Sequence, residues 1–243
     1  MTIKILTLFK EMFIPFLETS IIKRALTNNL VKVELIDLRS YSQDKHNHVD
    51  DTPYGGGNGM VIKVDVCKRA LDDIKGPNSK IILTSPRGKV YNQQMANLFS
   101  KEEELIILCG HYEGFDERVL NYVDEEVSIG DFVLTGGELA AMVIADSVIR
   151  LLPGVIKEGS FLDDSFQTGL LEYPQYTRPF SFLGEEVPEV LVNGNHEEIR
   201  KYRLYESLKA TYLRRPDLLE KYQLTDEEAK MLEKIKVDTL QKK

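Results

Sequence analysis

The stretch IGDFVLTGGEL, Ile129 to Leu139, sets four strand-like residues, Phe132–Thr135, between an acidic residue and the pair Gly136–Gly137, then runs into LAAMVIADSVIRLL. Strand, glycine turn and helix in immediate succession form the junction that α/β folds repeat. Working outward, β-rich runs (TIKILTLF, VKVELIDL, KIILTS, ELIILCG, EEVSIG) alternate with helical runs (FIPFLETSIIKRAL, VDVCKRALDDI, NQQMANLF, FDERVLNYV). Runs such as IIL and LIILC are apolar at successive positions, as parallel strands covered on both faces require. The expected fold class is therefore α/β, an open parallel sheet with crossover helices.

Beyond this region the pattern changes. Glu158–Pro188 has no sustained period and is rich in proline and glycine, which reads as a linker or an ordered functional loop. Asn193 or Asn195 is placed to cap a helix that starts near His196 and stops at Pro216. TDEE at Thr225–Glu228 caps a final helix. Tyr202, Tyr205, Leu208 and Tyr212 recur at helical spacing and should face a core.

No apolar run approaches the ~20 residues needed to cross a bilayer. MTIKILTLFKEMF has charges where an export signal needs its apolar stretch, so a cytoplasmic location is expected. Cys67 and Cys109 form no CxxC pair and should be reduced and buried. The net charge of −8 argues against a generic nucleic-acid coat. Yet Ile199–Pro216 holds six basic residues to one acidic, so an anionic partner would be met by the C-terminal segment.

Three glycine-bearing turns follow expected strands: TSPRG (84–88), CGHYEG (109–114) and IGDFVLTGGE (129–138). In an open parallel sheet, ligands sit outside the carboxyl ends of strands, so three such turns converge on one candidate site. Neither GxGxxG nor GxxxxGK[ST] occurs, and PYGGGNGM (53–60) has no lysine to reach a phosphate. A loop rich in backbone donors and acceptors, with apolar Phe132 and Leu134, suits an adenosine moiety better than a triphosphate. His46, His48 and Asp50 in KHNHVDD invite a metal reading, but no third strong ligand is fixed by spacing, and a hydrogen-bonded turn is the simpler account. Asp163 and Asp164 read as solvated turn-formers, and Arg150 as a cation favoured by a helix C-terminus. Arg200, Arg203 and Arg214, with adjoining Arg215, trace a basic stripe suited either to solvent or to phosphates.

Over nearly its whole length the chain resembles the bacterial tRNA (guanine-N1)-methyltransferases of the SPOUT class. The resemblance is carried by VDDTPYGGGNGM, CGHYEGFDERV, EVSIGDFVLTGGELAAM, DSVIRLLPGV, DDSFQTGLLEYPQYTRP, VNGNHEEIRKYR and RRPDLL. It implies a deep trefoil knot in a methyltransferase domain over 1–158, an interdomain linker over 159–172 and a small all-α tRNA-binding domain over 173–243. It implies S-adenosylmethionine as donor, held by Ser85, Pro86, Gly110, Tyr112, Glu113, Ile129, Gly130, Asp131, Phe132, Val133, Leu134, Gly136 and Gly137. Asp164 would be the general base and Arg150 its partner, acting at N1 of the guanine 3′ of the anticodon. His196, Arg200, Arg203, Arg214 and Arg215 would grip the anticodon arm. A homodimer with its active sites at the interface is also implied, as is magnesium, which cannot be placed on residues.

Two departures stand out: family members commonly read LFPEMF and GGELPAM where this chain has Lys10 and Ala140. Neither touches a proposed catalytic group. The rival class is a tRNA- or ribosome-binding protein without catalysis, against which Asp164 and Arg150 both speak. A hydrolase or kinase would need a nucleophile elbow or a phosphate loop.

Overall fold

The apolar runs of the N-terminal part become parallel strands. In chain order the elements are β1 (Thr2–Thr7), α1 (Ile14–Leu17), α2 (Ser20–Thr27), β2 (Lys32–Asp37), β3 (Asp50–Asp51), β4 (Val61–Ile62), α3 (Val64–Ile74), β5 (Ser79–Val90), α4 (Gln93–Phe99), β6 (Glu104–Cys109), β7 (Glu125–Ser128) and α5 (Glu138–Ile149). The computed structural model describes residues 1–157 and 164–241, and the chain divides into two compact units, Met1–Glu158 and Gly159–Lys243.

In the first unit five parallel strands lie in the order β2-β1-β6-β5-β7, while β3 and β4 form a separate antiparallel pair. Alternate residues of each strand point to opposite faces. Ile3, Ile5, Leu105 and Ile107 pack with Ile144 and Val148 of α5, whereas Leu6, Ile106 and Leu108 pack with Val66 and Ala70 of α3. Both faces are covered, which is why the central strands β5 and β6 carry the continuous apolar runs Ile81–Leu83 and Leu105–Cys109. Cys67 and Cys109 are free and buried in these layers.

Four local expectations give way. FIPFLETSIIKRAL forms two helices, because the chain turns at extended Thr19 and left-handed Ser20 (φ 52°). FDERVLNYV winds as a 3-10 helix over Glu117–Tyr122 on an Asp116 cap, whose carboxylate accepts from Arg118 N at 2.9 Å. Phe132–Thr135 is not a strand. Its apolar composition suits β structure, yet no strand edge pairs with it, and residues 129–137 cross the carboxyl ends of β5 and β6 as a loop. β5 also continues past its expected end at Ser85: Thr84 and Lys89 both pair with Val127, so Ser85–Gly88 bulges out between them.

The second unit is built on α6 (His196–Arg214), α7 (Pro216–Leu219) and α8 (Asp226–Leu240). Asn195 caps α6, its side chain accepting from Glu197 N and Glu198 N, and Thr225 with Glu228 closes a capping box on α8. The core joins Leu170, Leu208 and Ile235, with Tyr205 and Tyr212 against it; Tyr202 packs outside that cluster. The expectation of an all-α domain needs correcting, since β8 (Ser181–Phe182) and β9 (Glu185–Glu186) form an antiparallel hairpin. Its turn, Leu183–Gly184, takes positive φ at both residues, the geometry that lets a two-residue loop close. Asp163 lies outside the described residues. Among those described, no helix is long and apolar enough to cross a membrane.

Candidate functional site

The parallel register aligns the ends of β5 and β6, with Thr84 opposite Cys109, so the turns that follow them emerge side by side. The Ile129–Gly137 loop closes over both. His111 and Gly136 form an antiparallel bridge, and Gly137 N donates to Gly110 O at 2.7 Å. Gly137 sits so tightly that a Cβ there would lie 2.1 Å from Thr84 Oγ1 and 2.8 Å from Gly110 N. Gly88 presses equally hard on β7, where a Cβ would meet Val127 N at 2.4 Å. Only glycine permits these approaches.

Between the three turns opens a cleft of about 460 Å³, within the range of small-molecule sites. Of the expected donor-binding residues, Ser85, Pro86, Gly110, Tyr112, Glu113, Ile129, Gly130, Phe132, Val133, Leu134, Gly136 and Gly137 line it. Asp131 does not, and is exposed. Tyr112 holds a left-handed backbone (φ 57°), a strained state for a residue with a side chain and one that clusters at ligand sites. Val133, 83% exposed, leaves an apolar rim on the loop.

Sequence reasoning passed over several lining residues. Glu126 of β7 borders the cleft, and its Oε1 is buried with no hydrogen-bond partner among the described residues. The nearest charge is Arg87, 3.6 Å away and held more closely by Glu117 at 2.8 Å. An unsatisfied carboxylate oxygen in a cleft invites a donor from a ligand. His111 also lines the cleft, its ring 4.8 Å from that of Phe9. Its place inside CGHYEG was the available signal. Beneath the loop, Glu138 is buried at the start of α5 and accepts from Thr7 Oγ1 at 2.8 Å, tying β1 to the helix. The glycine-rich 53–60 loop serves the site indirectly: Met60 O accepts from Glu113 N at 3.0 Å, and the Glu113 side chain lies where a Cβ on Gly59 would be.

The expected catalytic pair is not part of this cleft's lining. Arg150 is the C-cap residue of α5, while the helix starts at the cleft; 12 helical residues separate the two ends, about 18 Å. Asp164 belongs to the second unit, where its carbonyl accepts from Gln167 N at 3.1 Å.

The basic stripe is uneven. Arg200 is bound by Glu197 at 3.0 Å and Glu227 at 3.1 Å, and the Arg200 contact holds the Glu197 carboxyl down at about 2. Arg215 forms a two-pronged pair with Asp217 at 2.8 and 2.7 Å. Arg203 stacks 4.7 Å over the Tyr173 ring, and Arg214 has no ion pair among the described residues. His196 opens α6.

The histidine loop forms a turn organised by Asp44, which accepts from His46 N at 2.8 Å and from His48 Nδ1 at 2.8 Å. Among the described residues no group of three or more His, Cys, Asp or Glu side chains is placed to hold a metal ion.

The profile of the family described as tRNA (Guanine-1)-methyltransferase TrmD matches residues 1–221. The tRNA (guanine-N(1)-)-methyltransferase of Onion yellows phytoplasma is 58% identical over 237 residues, covering 97% of this chain and 98% of its own. The proteins of the same name from Malacoplasma penetrans and Lactobacillus helveticus are each 54% identical, covering 91% and 97% of this chain and 98% of their own. Full-length likeness at such identity, joined to a cleft built from the turns that carry it, places this chain in the tRNA (guanine-1)-methyltransferase family.

Proposed function

We propose that the chain transfers the methyl group of S-adenosylmethionine to N1 of the guanine immediately 3′ of the anticodon in tRNA, with Asp164 as general base. As a member of its family the chain is a methyltransferase, and its relatives' names specify tRNA and guanine N1. The observation that carries the donor assignment is the convergence of three glycine turns on one cleft.

The cleft fits the donor. Exposed backbone groups of the 129–137 loop suit an adenine edge, Leu134 and Phe132 offer apolar contact, and the orphaned Oε1 of Glu126 accepts a hydroxyl or amine hydrogen. When bound, S-adenosylmethionine supplies an electrophilic methyl on its sulfonium. The protein's task lies on the acceptor. N1 of guanine carries a proton at neutral pH and has no lone pair to offer, so the Asp164 carboxylate takes that proton as N1 bonds to the methyl. Arg150 stabilises the negative charge that develops at O6. The products are 1-methylguanine, the demethylated thioether and a proton on Asp164.

The site is completed by a second copy of the chain. Arg150 lies at the far end of α5 from the cleft of its own unit, and α5 is apolar around most of its circumference, with Leu139 and Val143 each 48% exposed. Such a helix normally has its whole surface covered. A homodimer packed on this face brings one copy's Asp164 to the other's cleft. The tight passage of Gly137 between Thr84 and Gly110 supports a deep trefoil knot within the 1–158 domain, which a crystallographic chain trace checks. The 159–172 segment acts as linker and the helical unit as the tRNA-binding domain, in the cytosol. No residues are assigned to magnesium.

Purified protein mixed with methyl-labelled donor and a tRNA transcript bearing guanine 3′ of the anticodon should yield label on N1 of that base. A shifted RNA with no label, or label on another guanine atom, removes the assignment.

A further inference from the structure

The second unit carries a cleft of its own, about 400 Å³ in volume, between the 173–180 segment and the start of α6. Three aromatic rings and two arginines share its walls with aliphatic side chains. Tyr173 forms one wall, with the Arg203 guanidinium 4.7 Å above its ring. Tyr176 and Phe180 present half-exposed rings, 47% and 45% accessible, and Ile199 forms part of the floor. The Tyr176 hydroxyl is hydrogen-bonded to Tyr202, whose own acidity is suppressed first by burial and then by that bond, so the ring is held in place.

Charge distinguishes this cleft from the rest of the molecule. The chain is net −8, yet no carboxylate is among the described residues that line the cleft, while Arg178 and Arg203 both are. Neither arginine has a carboxylate partner among the described residues, in contrast with Arg200 and Arg215 on the same unit. A purely apolar partner would leave two guanidinium groups without compensation. An anionic partner without flat rings would leave the aromatic walls unused. A nucleotide satisfies both: its base stacks on aromatic and guanidinium planes, and its phosphate meets the arginine charge.

We infer that this cleft binds one unstacked nucleobase of the RNA substrate, separate from the guanine that is methylated. The inference rests on the tRNA substrate proposed above. It turns the helical unit from a general electrostatic grip into a reader of RNA shape, because a base enters the cleft only where the fold of the RNA leaves it unpaired.

The test uses the full chain and a fluorescent tRNA transcript. Tyr176→Ala with Phe180→Ala is expected to weaken binding at least about tenfold, the scale of one lost base stack. S-adenosylmethionine affinity, read by calorimetry, is expected to stay unchanged. Arg203→Lys keeps the charge and loses the planar stack, so it too should weaken binding; being exposed, it reads the site even if the double variant misfolds. Abasic substitution at each unpaired tRNA position then locates the occupant: one position should weaken binding to the wild type and have no further effect on the variant. RNA affinities within about twofold of wild type in both variants overturn the proposal, as does an abasic scan with no such coupled position. A drop in sedimenting mass with RNA affinity intact also overturns it, by making the cleft a contact between copies. Wild-type protein that binds tRNA yet transfers no methyl removes the proposed catalysis and leaves the coupling measurement to decide this point alone.

Discussion

Asp164 and Glu126 are both carboxylates, and the proposed function gives them different work. Asp164→Asn keeps the shape and removes the proton acceptor, so methyl transfer should fall by a factor of about 10²–10⁴. Donor affinity, measured by calorimetry, should hold; retained transfer with lost donor binding would reverse the role. Glu126→Gln predicts the opposite division. The orphaned Oε1 loses its charge at constant volume, and S-adenosylmethionine affinity should drop by about tenfold, the worth of one charge-assisted hydrogen bond. A calorimetric constant equal to wild type would remove Glu126 from the donor site. The two residues also differ in how far the sequence reveals them. The glycines and their neighbours are legible because turns at the carboxyl ends of parallel strands are where ligands gather. Glu126 is not, since an acidic residue within a strand reads as solvent-facing, and a buried oxygen without a hydrogen-bond donor among the described residues is a fact of three dimensions.

Among the elements, the helices with a clear start signal were readable. Asn195 and Thr225 cap α6 and α8 as their side chains dictate, and α5 starts directly after the glycine pair. The loop at 129–137 was misread at Phe132–Thr135 because β propensity reports a fit to a pleated surface, and no strand edge is offered there. Strand ends supply a test of electrostatics. Lys4 of β1 meets Glu104 of β6 at 2.6 Å, with side chains only 15% and 18% exposed. Burial alone would raise the Glu104 carboxyl, but hydrogen bonds from Lys4 and Ser79 outweigh it and hold the group below its ordinary 4.5. A depressed carboxyl stabilises the fold above its unfolded value and loses that contribution as pH falls through the folded one. Glu104→Gln should therefore cost about 1 kcal/mol near neutral pH, and the gap to wild type should narrow as the pH is taken well below 4.5. Urea titrations of both proteins at neutral and acid pH check this; a gap that persists in acid would assign the loss to packing.

At the scale of the whole molecule, alternation of strand and helix made the parallel sheet legible, whereas threading and assembly leave no period to read. What the fold does leave is a geometric difficulty for the proposed site: the cleft at one end of α5, Arg150 at the other, and an exposed apolar face between them. The proposed symmetric dimer would resolve it, and symmetry makes the proposal testable without a structure of the complex. Asp164→Asn retains an intact cleft, while Ser85→Trp fills the cleft and retains Asp164. Each alone should be inactive. Refolded together in equal amounts, half of the dimers are mixed, and each mixed dimer joins one intact cleft to one intact Asp164. Activity should return to about a quarter of the wild-type level. Were cleft and base supplied by the same chain, every site in the mixture would still lack one of them, and no methyl would be transferred.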